Sequence, residues 1–164
     1  ALSLAEHALL AGADPGRHLE TALRDLQAAR SCSPGEREVA LLGAEVLLLR
    51  ARAHPTDEAA WASAASAFGA VRRDDPASPR ALTASARLLR WRPTSGRRRD
   101  QDAAEGLRLS RAALAVDATS AEALLLAGHF AARSGRLAEA RDLFARGKRA
   151  NPLIPRLLGL RPGE

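Results

Sequence analysis

A frame of small residues and helix breakers that recurs along the whole chain constrains its fold more than any other feature. Pro34, Pro76, Ala118 and Pro152 each close a stretch of helical periodicity, at intervals of 42, 42 and 34 positions. Twelve positions before each stands a small residue: Ala22, Ala64, Gly106 and Ala140. Eight positions before stand Leu26, Phe68, Ser110 and Phe144. Ten positions after the first three comes another small residue, Ala44, Ala86 or Gly128. Proline ends a helix because it lacks the amide hydrogen and its ring clashes with the preceding turn. Small residues at fixed offsets let two helices approach closely. A recurrent frame of this kind marks an array in which a helix hairpin that cannot bury its apolar face alone buries it against the next. The two middle units carry eight residues more than the last, placed between their first and second helices, where they lengthen the hairpin or its connection.

The helices themselves follow from the choice of apolar residues. The 164 residues are 46% hydrophobic but only 3% aromatic, with no Met or Tyr, so Ala and Leu must supply the core. Both are strong helix formers, and the scarcity of β-branched and aromatic residues disfavours a sheet. An all-α chain follows, of a length that suits a single domain, residues 1–164. Helices are expected over Leu2 to Gly12, His18 to Arg30, a longer one up to Ala53, and one ending near Arg73 that carries Trp61, Ala64, Phe68 and Val71. Ser78-Pro79 opens a fifth, rich in Leu82, Leu88, Leu89 and Trp91. The polar run Pro93 to Arg99 reads as a loop, with a sixth helix from about Asp102 to Val116. Ser33-Pro34-Gly35-Glu36 and Thr119-Ser120-Ala121-Glu122 have the spacing of capping boxes.

The closing stretch, Ala121 to Pro152, is the shortest unit and the most regular. Two amphipathic helices flank a Ser134-Gly135-Arg136 turn, with Leu124, Ala127, Gly128 and Ala131 on the first helix and Ala140 and Phe144 on the second. This pattern resembles the tetratricopeptide (TPR) repeat, a helix hairpin of roughly 34 residues, although Leu124 and Ala131 stand where that family often has Trp and Tyr. The resemblance implies an α-solenoid, a right-handed superhelix of about four stacked hairpins over residues 1–34, 35–76, 77–118 and 119–152. Residues 153–164, chiefly Leu153 to Leu160, would form a capping segment, and Phe144 would fill the gap to a following helix. It also implies a concave groove lined by the first helix of each hairpin. The matching positions are Arg80, Thr83, Arg87, Arg90 and Trp91 in one unit, and Glu122, Leu125, His129, Ala132 and Arg133 in the last. Family members that clamp chaperone tails use Lys and Asn there. Here Thr83, Arg87, Leu125 and His129 occupy those places, which argues against that role.

The functional expectation is a non-catalytic scaffold that binds a protein or peptide, the basic groove favouring an acidic one. Its Ala/Arg-rich style is similar to repeat regions of bacterial Ser/Thr kinases and other signalling proteins. The chain starts without Met, as expected for a piece of something longer, so the absence of a visible signal peptide means little; the localisation is left open, with the cytoplasm favoured. The net charge of +6 is almost wholly Arg, Lys148 being the one lysine. A GC-rich coding genome explains that style. A nucleic-acid reading rests on Arg87, Arg90, Arg92 and Arg97-Arg98-Arg99, with Trp91 as the single stacking candidate. No phosphate-binding glycine loop occurs, and His7, His18, His54 and His129 fit no metal-ligand spacing. Cys32 alone can form no intrachain disulfide. No catalytic group, cofactor or metal is expected. The longest apolar run, around Leu41 to Leu49, is too short for a bilayer.

Overall fold

The structure, a computed structural model, describes Ala8, residues 14–33 and residues 35–152. Among these residues there are seven helices and no strand: α1 (Gly16–Cys32), α2 (Arg37–Ala53), α3 (Glu58–Asp74), α4 (Pro79–Trp91), α5 (Gly96–Val116), α6 (Ala121–Arg133) and α7 (Leu137–Ala150). The chain is all-helical, as its Ala and Leu content implies. Of the expected helix over Leu2 to Gly12 only Ala8, helical and buried, is described, and the expected cap over 153–164 and Pro34 lie outside the described residues. The described residues group into two compact units that part between Pro76 and Ala77, a boundary of the frame.

In the first unit α2 packs against both α1 and α3. Its core holds Leu19 and Ala22 from α1, Leu41, Ala44, Val46, Leu48 and Leu49 from α2, and Trp61, Ala64, Phe68 and Val71 from α3, all buried. Asp57 caps α3 by accepting from the Ala60 amide at 3.1 Å, and the Trp61 indole donates to the Pro55 carbonyl at 3.1 Å. The capping box expected at Ser33 to Glu36 does not form. Because α1 runs on to Cys32, Ser33 is taken up as its C-cap. Gly35, at φ +90°, then turns the chain so that Glu36 precedes α2 without a side-chain cap bond.

In the second unit the helices pack in succession, α4 on α5, α5 on α6 and α6 on α7, and α4 also packs on α6. One contiguous core runs through all four, from Leu82 and Ala86 through Leu107, Leu109 and Ala113 to Leu124, Phe130, Ala140 and Leu143. Pro79 at the first turn of α4 is tolerated because its missing amide hydrogen has no partner there in any case, and Ser78 caps the same turn. The second capping box does not form either, and the N-cap stands one residue later than expected, with Ala123 at its third position. Ser120 rather than Thr119 accepts from the Ala123 amide, while Thr119 bonds the Asp117 carboxylate. Gly135, at φ +75°, ends α6 in a Schellman motif: its amide donates to the Ala132 carbonyl, and the Arg136 amide donates to that of Ala131.

The largest departure from expectation is the stretch Pro93 to Arg99. Only Pro93, Thr94 and Ser95 lie between helices, and α5 starts at Gly96. Polarity alone does not make a loop: Arg is a good helix former, and no proline follows Pro93 in this stretch. The extra length of this unit therefore goes into helix. At 21 residues against 13 for α4, α5 is longer by about 12 Å at about 1.5 Å per residue.

The segment that Phe144 was expected to meet lies outside the described residues. The Phe144 ring lies over Gly128 of its own hairpin, where a Cβ would meet it at 3.1 Å. Ser110, which stands where the frame calls for a large apolar residue, is fully buried and donates to the Gly106 carbonyl at 2.8 Å. The ring beside that turn comes instead from Phe130 of α6, which sits directly on Gly106.

Candidate functional site

The C-terminal ends of α4 and α6 open onto a groove of about 760 Å³ in the second unit. From α4 it receives Arg90 and Trp91, from the connection Arg92, Pro93 and Thr94, from α5 Arg99, from α6 His129, Ala132 and Arg133, and from α7 Phe144. Arginines suit these places locally. Arg90 and Arg133 lie in the last turns of their helices, where the negative end of the helix dipole favours a cation.

The positions expected from the frame divide into groups. Arg90, Trp91, His129, Ala132 and Arg133 come together on the groove. Arg80 is exposed near the start of α4, away from it. Arg87 lies 3.4 Å from Glu122 as an ion pair between α4 and α6, with its guanidinium 5.5 Å from the centre of the Trp91 ring. Thr83 and Leu125 are not groove residues. Thr83 is buried, and its hydroxyl donates to the Pro79 carbonyl at 2.7 Å. Leu125 is fully buried over Gly147 of α7, where a Cβ would come within 2.7 Å of its Cγ. Both stand at the same position of the frame, and Leu125 is drawn inward by the room that Gly147 of the neighbouring helix leaves.

The frame did not point to Arg92, Pro93, Thr94, Arg99 or Phe144 as groove residues. Arg92 donates to the Asp102 carboxylate, an ion pair joining the end of α4 to the second turn of α5 with both side chains largely buried. The clustering of arginines was the available signal for Arg92 and Arg99, but only helical geometry through Arg97-Arg98-Arg99 brings one of the three into the groove.

The electrostatics centre on His129. Its imidazole packs edge-on against Phe130, with ring centroids 5.2 Å apart. Burial, followed by the charges of Arg90, Arg133 and Arg99, pushes its pKa down to about 3, so the ring is neutral at physiological pH. Its Nε2 is buried with no hydrogen-bond partner among the described residues, and so is the Nε of Arg133. Burial also lowers the Arg133 pKa, as does Arg99, while Asp102 and Asp100 act in the opposite sense. The groove thus brings several guanidinium groups around one uncharged ring. Among the described residues, no three His, Cys, Asp or Glu side chains are grouped so that they could hold a metal ion, and no helix is long and apolar enough to cross a membrane. Cys32 is exposed. Comparison with protein-family models and with curated proteins finds no match for this chain.

Proposed function

We propose that this chain is a non-catalytic, TPR-like interaction module that holds a segment of a partner protein in the groove across α4 and α6, as part of a larger protein of the signalling type. The observation that carries the reading is that groove. It lies at the C-terminal ends of α4 and α6, the first helices of two consecutive units of the frame, and Arg90, Trp91, His129, Ala132 and Arg133 line it at positions that the frame names. Further support comes from packing. The small residues of the frame, Ala44, Ala64, Ala86, Gly106, Gly128 and Ala140, are all buried, as stacked hairpins require. The packing of α4 on α6 as well as on α5 is what a concave row of first helices needs. A volume of about 760 Å³ with Trp91, Pro93 and Phe144 among its walls offers both an apolar anchor point and charged rims, the usual anatomy of a recognition groove.

Selection from a random peptide display library tests the reading. Selected peptides should lose at least about tenfold in affinity on Arg90→Glu and on Trp91→Ala, the size expected for removing a central anchor. Peptides that bind undiminished to both variants would place the binding surface elsewhere. The basic run Arg97-Arg98-Arg99 makes oligonucleotides the necessary comparison. Binding to single-stranded RNA or duplex DNA that falls steeply between low and moderate salt, with no peptide selected, would replace this reading by a nucleic-acid one.

A further inference from the structure

We infer that the groove is an oxyanion pocket for a phosphorylated side chain, a phosphoserine or phosphothreonine presented by the partner segment, gripped by Arg99 and Arg133 beside His129. This inference rests on the peptide-groove reading above and gives it a ligand chemistry.

Four observations lead to it. Arg99 makes no hydrogen bond or ion pair with any described residue, yet it lines the groove from the first turn of α5. Arg133 likewise has no hydrogen-bonded acid, and its buried Nε points to no acceptor. The one carboxylate buried near them, Asp102, is already engaged by Arg92, so the charges of Arg99 and Arg133 are left for a ligand to balance, with Asp100 opposing them in part. The buried Nε2 of His129 sits in the same cluster without a partner.

The charge and the spread of donors select the ligand. A carboxylate offers two oxygens in one plane, which a single guanidinium fork satisfies. Here guanidinium groups reach the groove from α5 and α6 around an imidazole, with Arg90 of α4 adding its charge. A phosphomonoester has three terminal oxygens and carries about −1.5 to −2 charges at neutral pH, which suits donors arriving from several directions. Partial burial of Arg133 and His129 strengthens their share of such contacts by lowering the local dielectric. The apolar lining of Trp91, Ala132 and Phe144 then accommodates the peptide around the modified residue.

The test uses calorimetry at fixed ionic strength with the whole chain. The probes are a degenerate phosphoserine peptide pool, the same pool with serine, the same pool with glutamate, and inorganic phosphate. The phosphoserine pool should bind at least about tenfold more tightly than the glutamate pool, the difference between a dianion held by several charge-assisted bonds and a monoanion held by fewer. Arg99→Ala should cost about tenfold for the phosphoserine pool and leave the serine pool unaffected. Arg99 is exposed on the helix surface, so this variant folds even if Arg133→Ala does not. Inorganic phosphate should compete with the phosphoserine pool, weakly in wild type and not at all in Arg99→Ala. Equal binding of the glutamate and phosphoserine pools overturns the inference while leaving the groove reading intact. Binding of the serine pool that depends on Trp91 but not on Arg99 does the same. Failure of every pool removes both. An oligonucleotide that outcompetes the phosphoserine pool, with the same loss on Arg99→Ala, assigns the phosphate to nucleic acid and overturns the inference as stated.

Discussion

Gly106 sits in the middle of α5, where alanine should on propensity alone be the better residue by up to about 1 kcal/mol. The structure reverses the sign. A Cβ at Gly106 would lie 2.4, 2.5 and 2.6 Å from Cζ, Cε2 and Cε1 of Phe130, against an optimal carbon–carbon separation of about 3.5–4.0 Å. The ring would have to withdraw by about 1 Å, and it has nowhere to go, since Phe130 is fully buried in the common core of α4 to α7. Overpacking of this kind costs about 1–3 kcal/mol. With three ring atoms involved, we take the upper half of that range and subtract the propensity gain. Gly106→Ala should therefore destabilise the second unit by about 1–2 kcal/mol. Gly69 of α3 supplies the comparison. A Cβ there would meet only the end of the Arg73 side chain at 3.6 Å, so Gly69→Ala keeps the propensity gain and should stabilise by about 0.5–1 kcal/mol. Urea denaturation followed by far-UV circular dichroism, fitted with separate transitions if the two units unfold independently, measures both. Phe130→Leu should cost stability in wild type but recover part of the loss in Gly106→Ala, a coupling of at least about 1 kcal/mol between residues in contact. If Gly106→Ala proves as stabilising as Gly69→Ala, then Phe130 does not pack on Gly106, and the account of how Ser110 is accommodated fails with it.

Four further outcomes follow from the geometry. Gly135→Ala should lose about 1 kcal/mol in thermal or chemical denaturation, because an L-residue must adopt the left-handed conformation that ends α6. Asp57→Ala should cost about 0.5–2 kcal/mol through the lost cap of α3, read by the same measurement. Asp102→Ala leaves the largely buried Arg92 side chain without its carboxylate and should cost about 3 kcal/mol, the lower end for breaking a buried pair; an effect below about 1 kcal/mol would mean that solvent already screens the pair. His129, whose pKa falls from 6.5 to about 3 in the folded state, takes up its proton first in the unfolded chain. Its contribution to stability is full above about pH 6.5 and falls as the pH drops toward 3, by up to about 1.4 kcal/mol per unit. His129→Gln should therefore flatten the pH dependence of unfolding between pH 6.5 and 5, and wild-type and variant slopes that coincide in that window would show His129 to be solvated.

The division between what the chain alone shows and what required its folded form can be traced residue by residue. Ala and Leu at helical spacing, without aromatics to build a sheet, were enough for an all-helical chain, and the small residues of the frame all proved buried. Such positions are legible because close helix approach excludes side chains by volume, a constraint local sequence carries wherever the partner helix lies. His129 and Arg133 were legible as neighbours for a related reason: positions four apart share a helix face. Thr83 and Leu125 were misread because whether a residue on such a face is wet or dry depends on the neighbouring helix, and Leu125 turns inward because Gly147 of α7 leaves room for it.

Only the tertiary structure decided the rest. It placed Phe130 on Gly106, so that a ring from α6 occupies the space beside a turn where the frame offered only Ser110. It turned the apparent loop at Arg97 to Arg99 into the first turns of a 21-residue helix, carrying Arg99 to a groove whose other wall is formed by residues 30 positions further along the chain or more. The sequence by itself determined which residues form helices and which faces must be covered, since propensity and periodicity act between near neighbours. Which arginines meet around His129, and how far burial and their charges hold that ring neutral, depended on distances between helices that no local pattern encodes.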